Sequence, residues 1–203
     1  MLTLDHLAVA CTDLAEGVAW IEERLGVPMQ GGGKHALMGT HNRLLGLGDL
    51  YLEAIAIDPD APAPDRPRWF DLDRFAGPPR LTKWIARCDD LDAEIAIGPA
   101  GIGRPVDLAR GDYRWRMAVP DDGILPLGDA FPALIEWQGS AHPAPALADH
   151  GIRLTAFEIT HPQADALIAA LAGRLDDPRV HIRWGAAVTM QASFSTPHGT
   201  RHL

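Results

Sequence analysis

Leu4-Asp5-His6-Leu7-Ala8-Val9-Ala10-Cys11-Thr12-Asp13-Leu14 is echoed by Leu81-Thr82-Lys83-Trp84-Ile85-Ala86-Arg87-Cys88-Asp89-Asp90-Leu91. Each copy is a short apolar strand, a cysteine, an acidic helix-start signal and a leucine. The register is fixed, with Leu4 on Leu81, Cys11 on Cys88 and Leu14 on Leu91, and in it His6 falls on Lys83. A repeated strand–helix unit of this kind predicts an architecture made of tandem copies.

Working outward, Asp13 and Glu16 stand in capping-box spacing. Leu14, Val18, Ile21 and Leu25 then recur at helical period, and Gly26 closes the helix. Gly31-Gly32-Gly33 reads as a flexible connector; no Walker or Rossmann spacing surrounds it. Strand patterns follow over 34–38, 42–47 and 50–57, so residues 1–58 read βαβββ. Residues 59–80 are rich in proline and form a linker or crossing loop. Within it, Trp69 and Phe70 either dock the loop on the core or cover a cavity.

The second unit spans 81–139, with a helix from Leu91 to near Gly98, strands over 113–119, 124–128 and 133–138, and a turn at Asp121-Asp122-Gly123. A second linker precedes a third, partial unit over 151–203. There a strand over 153–160 leads to a helix opened by Pro162 and carrying Leu167, Leu171 and Leu175. Strands over 180–184 and 187–195 come next, then a turn at Pro197-His198-Gly199. The expected fold is α+β, tandem βαβββ units forming a cup-shaped mixed sheet with flanking helices. The third unit is expected to extend the sheet or to meet its copy across a homodimer.

With 203 residues, 47% hydrophobic and 22% charged, the chain reads as a soluble globular protein. Its net charge of −9 argues against nucleic-acid partners and anionic membranes, which reward a basic face. No apolar run reaches bilayer length and no basic leader opens the chain, so a cytoplasmic location is expected. Cys11 and Cys88 read as small buried thiols.

Tandem βαβββ units with His on the first strand and Glu on the fourth resemble the vicinal oxygen chelate superfamily of glyoxalase I, extradiol dioxygenases and bleomycin-resistance proteins. The stretch Gly39-Thr40-His41-Asn42-Arg43-Leu44-Leu45 with Tyr51-Leu52-Glu53 is similar to the glyoxalase-like domain proteins in particular. The resemblance implies a divalent metal in the cup, held from the first and fourth strands of each unit. Carried onto this chain, it selects His6, Glu53 and Glu136 as metal ligands, the last within Ala133-Leu134-Ile135-Glu136-Trp137. The ion would be Mn, Fe, Ni or Zn. The fourth ligand position falls on Lys83, whose ammonium has no lone pair to give. Either a metal binds the three ligands while Lys83 holds a substrate anion, or Lys83 replaces the metal and pairs with Glu53 and Glu136.

The function that follows from the resemblance is a metal-dependent isomerase, lyase or dioxygenase acting on a small oxygenated molecule, with Glu53, Glu136 or Lys83 as catalytic groups. The alternative is a metal-free module that sequesters a small molecule. His41 and Asn42 either shape a turn or line the cup mouth and bind substrate together with Lys83. His35 reads as a surface residue, and Arg114, Trp115 and Arg116 as a solvated strand face. A Schiff-base role for Lys83 is a further option.

Overall fold

The computed structural model describes residues 1–203. The first unit is β1 (Thr3–Ala10), α1 (Leu14–Leu25), β2 (Gln30–His35), β3 (Thr40–Gly46) and β4 (Tyr51–Ile57). The second is β5 (Arg80–Arg87), α2 (Leu91–Ala96), β6 (Arg104–Arg110), β7 (Tyr113–Val119) and β8 (Ala133–Trp137). After a short α3 (Pro143–Ala146) come β9 (Arg153–His161), α4 (Ala164–Leu171), β10 (Val180–Trp184), β11 (Thr189–Thr196) and β12 (Gly199–His202). The mixed α+β fold is the expected one.

Strands β1 to β8 form one sheet in the order β2-β3-β4-β1-β5-β8-β7-β6. In each unit the fourth strand lies parallel to the first, and the two first strands pair antiparallel at the centre. The sheet curls until its edges β2 and β6 lie against each other. Alternation along the strands gives this half-barrel two faces. Ala8, Ala10, Ile55, Ile85, Trp115, Met117 and Ile135 fill the inside. Leu4, Leu7, Val9, Leu52, Trp84, Ala86 and Leu134 face outward, onto α1, α2 and the C-terminal unit. The helix caps repeat as the sequence does. Asp13 accepts from the Glu16 amide and Asp90 from the Ala93 amide, satisfying donors that a helix start leaves open.

Four expectations are corrected. Gly31–Gly33 is part of β2 rather than a connector; Gly31 and Gly32 have positive φ at a register shift against β3. A Cβ on Gly32 would overlap the Asn42 carbonyl, so glycine serves close strand approach here. Residues 124–128 form no strand: Leu127, Gly128 and Asp129 all have positive φ, which breaks an extended run. The missing strand is β6, an edge strand that tolerates Pro105. At the C-terminus the Pro197–Gly199 turn leads into one more strand, β12.

The C-terminal unit repeats the element order but not the sheet. Its strands run β10-β9-β11-β12, with β9 beside both β10 (parallel) and β11 (antiparallel). It does not extend the large sheet. Its apolar face, carrying Leu154, Phe157, Ile159, Met190 and Phe194, packs within the chain on the outer face of the half-barrel. Arg174 reinforces the seam with two bonds to Glu94 Oε2, at 2.7 and 3.0 Å, and one to the Glu94 carbonyl.

Candidate functional site

The inside of the half-barrel holds a polar chain among apolar walls. It starts at a β-bulge. Leu4 pairs with Ala86 and His6 with Ile85, so Asp5 is the extra residue. A bulge re-aims side chains, and Asp5 and His6 end up hydrogen-bonded to each other instead of on opposite faces. His6 Nδ1 donates to Asp5 Oδ1 at 2.6 Å. Trp137 Nε1 and His142 Nε2 donate to Asp5 Oδ2 at 3.0 and 2.9 Å. On the other side, His6 Nε2 faces Glu53 Oε2 at 3.6 Å. Glu53 Oε1 accepts a short hydrogen bond from Asn42 Nδ2. Asn42 Oδ1 in turn accepts from the Gly33 amide and from Arg110 Nη1, both at 2.9 Å. Tyr51 stacks on the His6 ring with centroids 4.2 Å apart.

Charge follows from burial and partners. Burial works against an ionised Asp5, but the bonds from His142 and His6 outweigh it and hold its pKa down. Burial likewise opposes a charged His6, and the bonds to Asp5 and Glu53 outweigh it, so the His6 pKa is raised. For Glu53 the penalty of burial is overcome by His6 and Asn42, and its pKa is lowered. The arrangement is carboxylate, imidazolium, carboxylate, with the Arg110 guanidinium beside it. His35 behaves oppositely. Burial, with Arg110 adding to it against the pull of Glu53, pushes its pKa down to about 4. Its Nδ1 bonds Thr40 Oγ1 at 3.0 Å, and its Nε2 lies 3.3 Å from Arg110 Nη1.

These shifts predict a pH dependence. The unfolded chain protonates His35 near 6.5, the folded one near 4, so the unfolded state binds more protons between these values. Stability therefore rises from pH 4 to 6.5, by roughly 3 kcal/mol from this residue. His6 contributes with the opposite sign, its share fading as pH rises through its raised value. Urea midpoints should climb from pH 4.5 to 6.5, and His35→Gln should flatten that climb; an unchanged slope would place the titration elsewhere.

His6, Glu53 and Asn42, expected in the site, are thus brought together. Glu136 is not. It lies on the other face of β8, accepts from Arg116 Nη1 at 3.1 Å and faces the Leu91 amide at the start of α2. The pairing explains why. Ala8 stands opposite Glu53, and Ile85, its counterpart in the repeat, opposite Ala133. The cysteines agree: Cys11 bonds the Ile55 carbonyl and Cys88 the Ile135 carbonyl. The counterpart of Glu53 is therefore Ala133. Lys83 is also absent from the group; its Nζ pairs with Asp129 at 3.2 Å, not with Glu53 or Glu136. His41 points away from Asn42, into a groove beside α1.

Sequence reading missed Asp5, His35, Arg110 and His142. His35 is 4% exposed, not a surface residue. Asp5 gave one signal, a charge inside an apolar strand next to His6, but alternation alone assigns it to the wrong face. Arg110 belongs to β6, the strand that was not read. Trp115 lines the cavity, while Arg114 is exposed and Arg116 serves Glu136. Trp69 and Phe70 both dock and cover: they are buried and roof the cavity over His6 and Glu53.

A glyoxalase-like domain model matches residues 4–175. The chain belongs to the glyoxalase-like domain family. A hypothetical protein from Staphylococcus aureus, 12% identical, superposes with a TM-score of 0.59 over 93% of this chain and 88% of that one. Methylmalonyl-CoA epimerase from Mycobacterium tuberculosis, 19% identical, gives 0.44 over 68% and 88%. The Streptomyces coelicolor epimerase in complex with 2-nitronate-propionyl-CoA, 18% identical, gives 0.45 over 70% and 100%. No curated protein matches the chain. The first likeness shows the fold.

Within this glyoxalase-like domain the residues do not fit a resident divalent metal. Of the four floor positions, His6 and Glu53 carry ligating atoms, while Lys83 and Ala133 offer none. No group of three His, Cys, Asp or Glu side chains is placed to hold a metal ion. The cation nearest the carboxamide–carboxylate pair is Arg110.

Proposed function

We propose that the cup is a metal-independent site for a small oxygenated anion, on which Glu53 moves a proton in isomerase- or lyase-type chemistry. The observation that carries this reading is the buried Asp5–His6–Glu53 chain ending beside Arg110. Asn42 and His35 engage only Nη1 of Arg110, leaving Nη2 and Nε to meet a carboxylate in fork geometry. Trp69, in the roof, has a buried Nε1 with no partner, a donor suited to a ligand oxygen. Glu53, held ionised, accepts the proton. His6 and Arg110 offset the charge that develops on the ligand, in a cavity whose walls exclude water. Free volume there is about 30 Å³, room for about one water. A substrate enters when the Trp69–Phe70 roof gives way.

The test is proton exchange. Pyruvate in deuterated buffer containing EDTA should lose its methyl proton signal faster with the protein than without. Glu53→Gln should slow that exchange by about 10²–10⁴-fold, and Arg110→Met should weaken pyruvate binding, while Lys83→Arg should leave both intact. Exchange appearing only on metal addition would overturn the metal-independent reading. Pyruvate binding with no exchange would make the cup a sequestering site.

A further inference from the structure

A second cavity, of about 850 Å³, separates the start of β5 and the end of α1 from the C-terminal sheet. Lys83 stands in its wall. Alternation puts Lys83 on the same face of β5 as Ile85, and Ala8 opposite it, so His6 and Lys83 are diagonal neighbours on paired strands. Yet they serve different cavities: His6 lines the cup and Lys83 the cleft.

The chain contains two lysines, Lys34 and Lys83, against sixteen arginines. Lys34 is a surface residue paired with Asp58. Lys83 is 4% exposed, and its only charged partner is Asp129, 3.2 Å away. An ion pair alone would be served as well by arginine, whose planar fork matches a carboxylate. What lysine adds is an amine that can lose its proton. An ammonium also carries three donors, and Asp129 takes one.

The surrounding backbone is strained. Four non-glycine residues have positive φ, namely Phe70, Asp71, Leu127 and Asp129. Asp71 and Asp129 both line the cleft beside Lys83. Such conformations are unfavourable and persist where the structure over-determines them. Here they bring the Asp129 carboxylate to the amine, while the Asp71 carboxylate pairs with Arg74 at 2.6 Å. Thr82, the bulge counterpart of Asp5, lines the same cleft with a buried Oγ1 that has no partner.

We propose that Lys83 is the nucleophilic amine of a second site, one that holds a small aldehyde or ketone as an imine. Asp129 takes a proton from the Lys83 ammonium. The nitrogen lone pair forms a bond to the carbonyl carbon, and the carbonyl electron pair moves to oxygen, which takes a proton from the attacking nitrogen. The carbinolamine then loses that oxygen as water, with Asp129 returning its proton, and the nitrogen lone pair closes the C=N bond of a protonated imine. No oxidant or reductant is involved, and water reverses the step. Burial supports this direction: it lowers the Lys83 pKa against the opposing pull of Asp129, while Asp58 raises that of Lys34.

Reductive trapping tests it. The whole protein is incubated with acetaldehyde and cyanoborohydride at pH 7, digested, and its ethylated peptides are quantified by mass spectrometry. Lys83 should be modified severalfold faster than Lys34, because burial favours its free amine while Asp58 favours the ammonium of Lys34. Glu53→Gln should leave this labelling unchanged, which separates it from the chemistry of the cup. Labelling confined to Lys34 and the amino terminus, or equal on both lysines, would overturn the proposal.

Discussion

Asp5→Ala is expected to lower folding stability by about 3–5 kcal/mol, as removal of one member of a buried charged network does. Asp5 has no exposed surface. It accepts from His6, Trp137 and His142, and Arg87 approaches it at 3.7 Å. Alanine removes every acceptor at once. The imidazolium of His6 would keep Glu53 alone, and the donors on Trp137 and His142 would lose their acceptor. Asp5→Asn retains one acceptor oxygen and should lose less, about 1–3 kcal/mol. Urea unfolding at pH 7 measures both. A loss under about 1 kcal/mol for Asp5→Ala would mean that water reaches these groups, against the closed site described above.

Trp84→Ala should be comparably damaging, at about 3–5 kcal/mol, but through packing. Trp84 is fully buried on the outer face of β5. Its indole N–H donates to the Ala130 carbonyl at 2.9 Å, and its ring tilts against Phe157 of the C-terminal sheet, centroids 5.7 Å apart. It therefore joins the half-barrel, the loop that carries Asp129, and β9. The loss should appear first as faster amide exchange over residues 153–202, with residues 3–10 protected for longer. Uniform loss of protection would show that the two sheets unfold as one cooperative unit.

The doubled segment made the half-barrel legible, because strand, cysteine and helix cap recur in one register and each has a local physical cause. His6, Glu53 and Asn42 could be read because polar residues in apolar strands need partners. Glu136 passed the same test but sits one face away, since its strand pairs with β5 in a register that only hydrogen bonding reveals. Arg110 and Asp129 arrive from an edge strand and from a left-handed turn, whose positions depend on tertiary contacts. The sheet order of the C-terminal unit was equally hidden: the βαβββ order along the chain is compatible with more than one pairing of its strands.

The meeting of β2 and β6 at the mouth of the cup has a consequence for colloidal behaviour. An open eight-stranded sheet would normally display two long rows of unpaired amides and carbonyls, ready to template another chain. Here each edge is screened by the other, with the Arg110 side chain packed over Gly33 and bonded to Asn42. The unpaired rows that remain belong to β10 and β12, of five and four residues. Strands this short offer little ladder for addition, so the same curl that encloses the polar chain also guards the fold against edge-to-edge association.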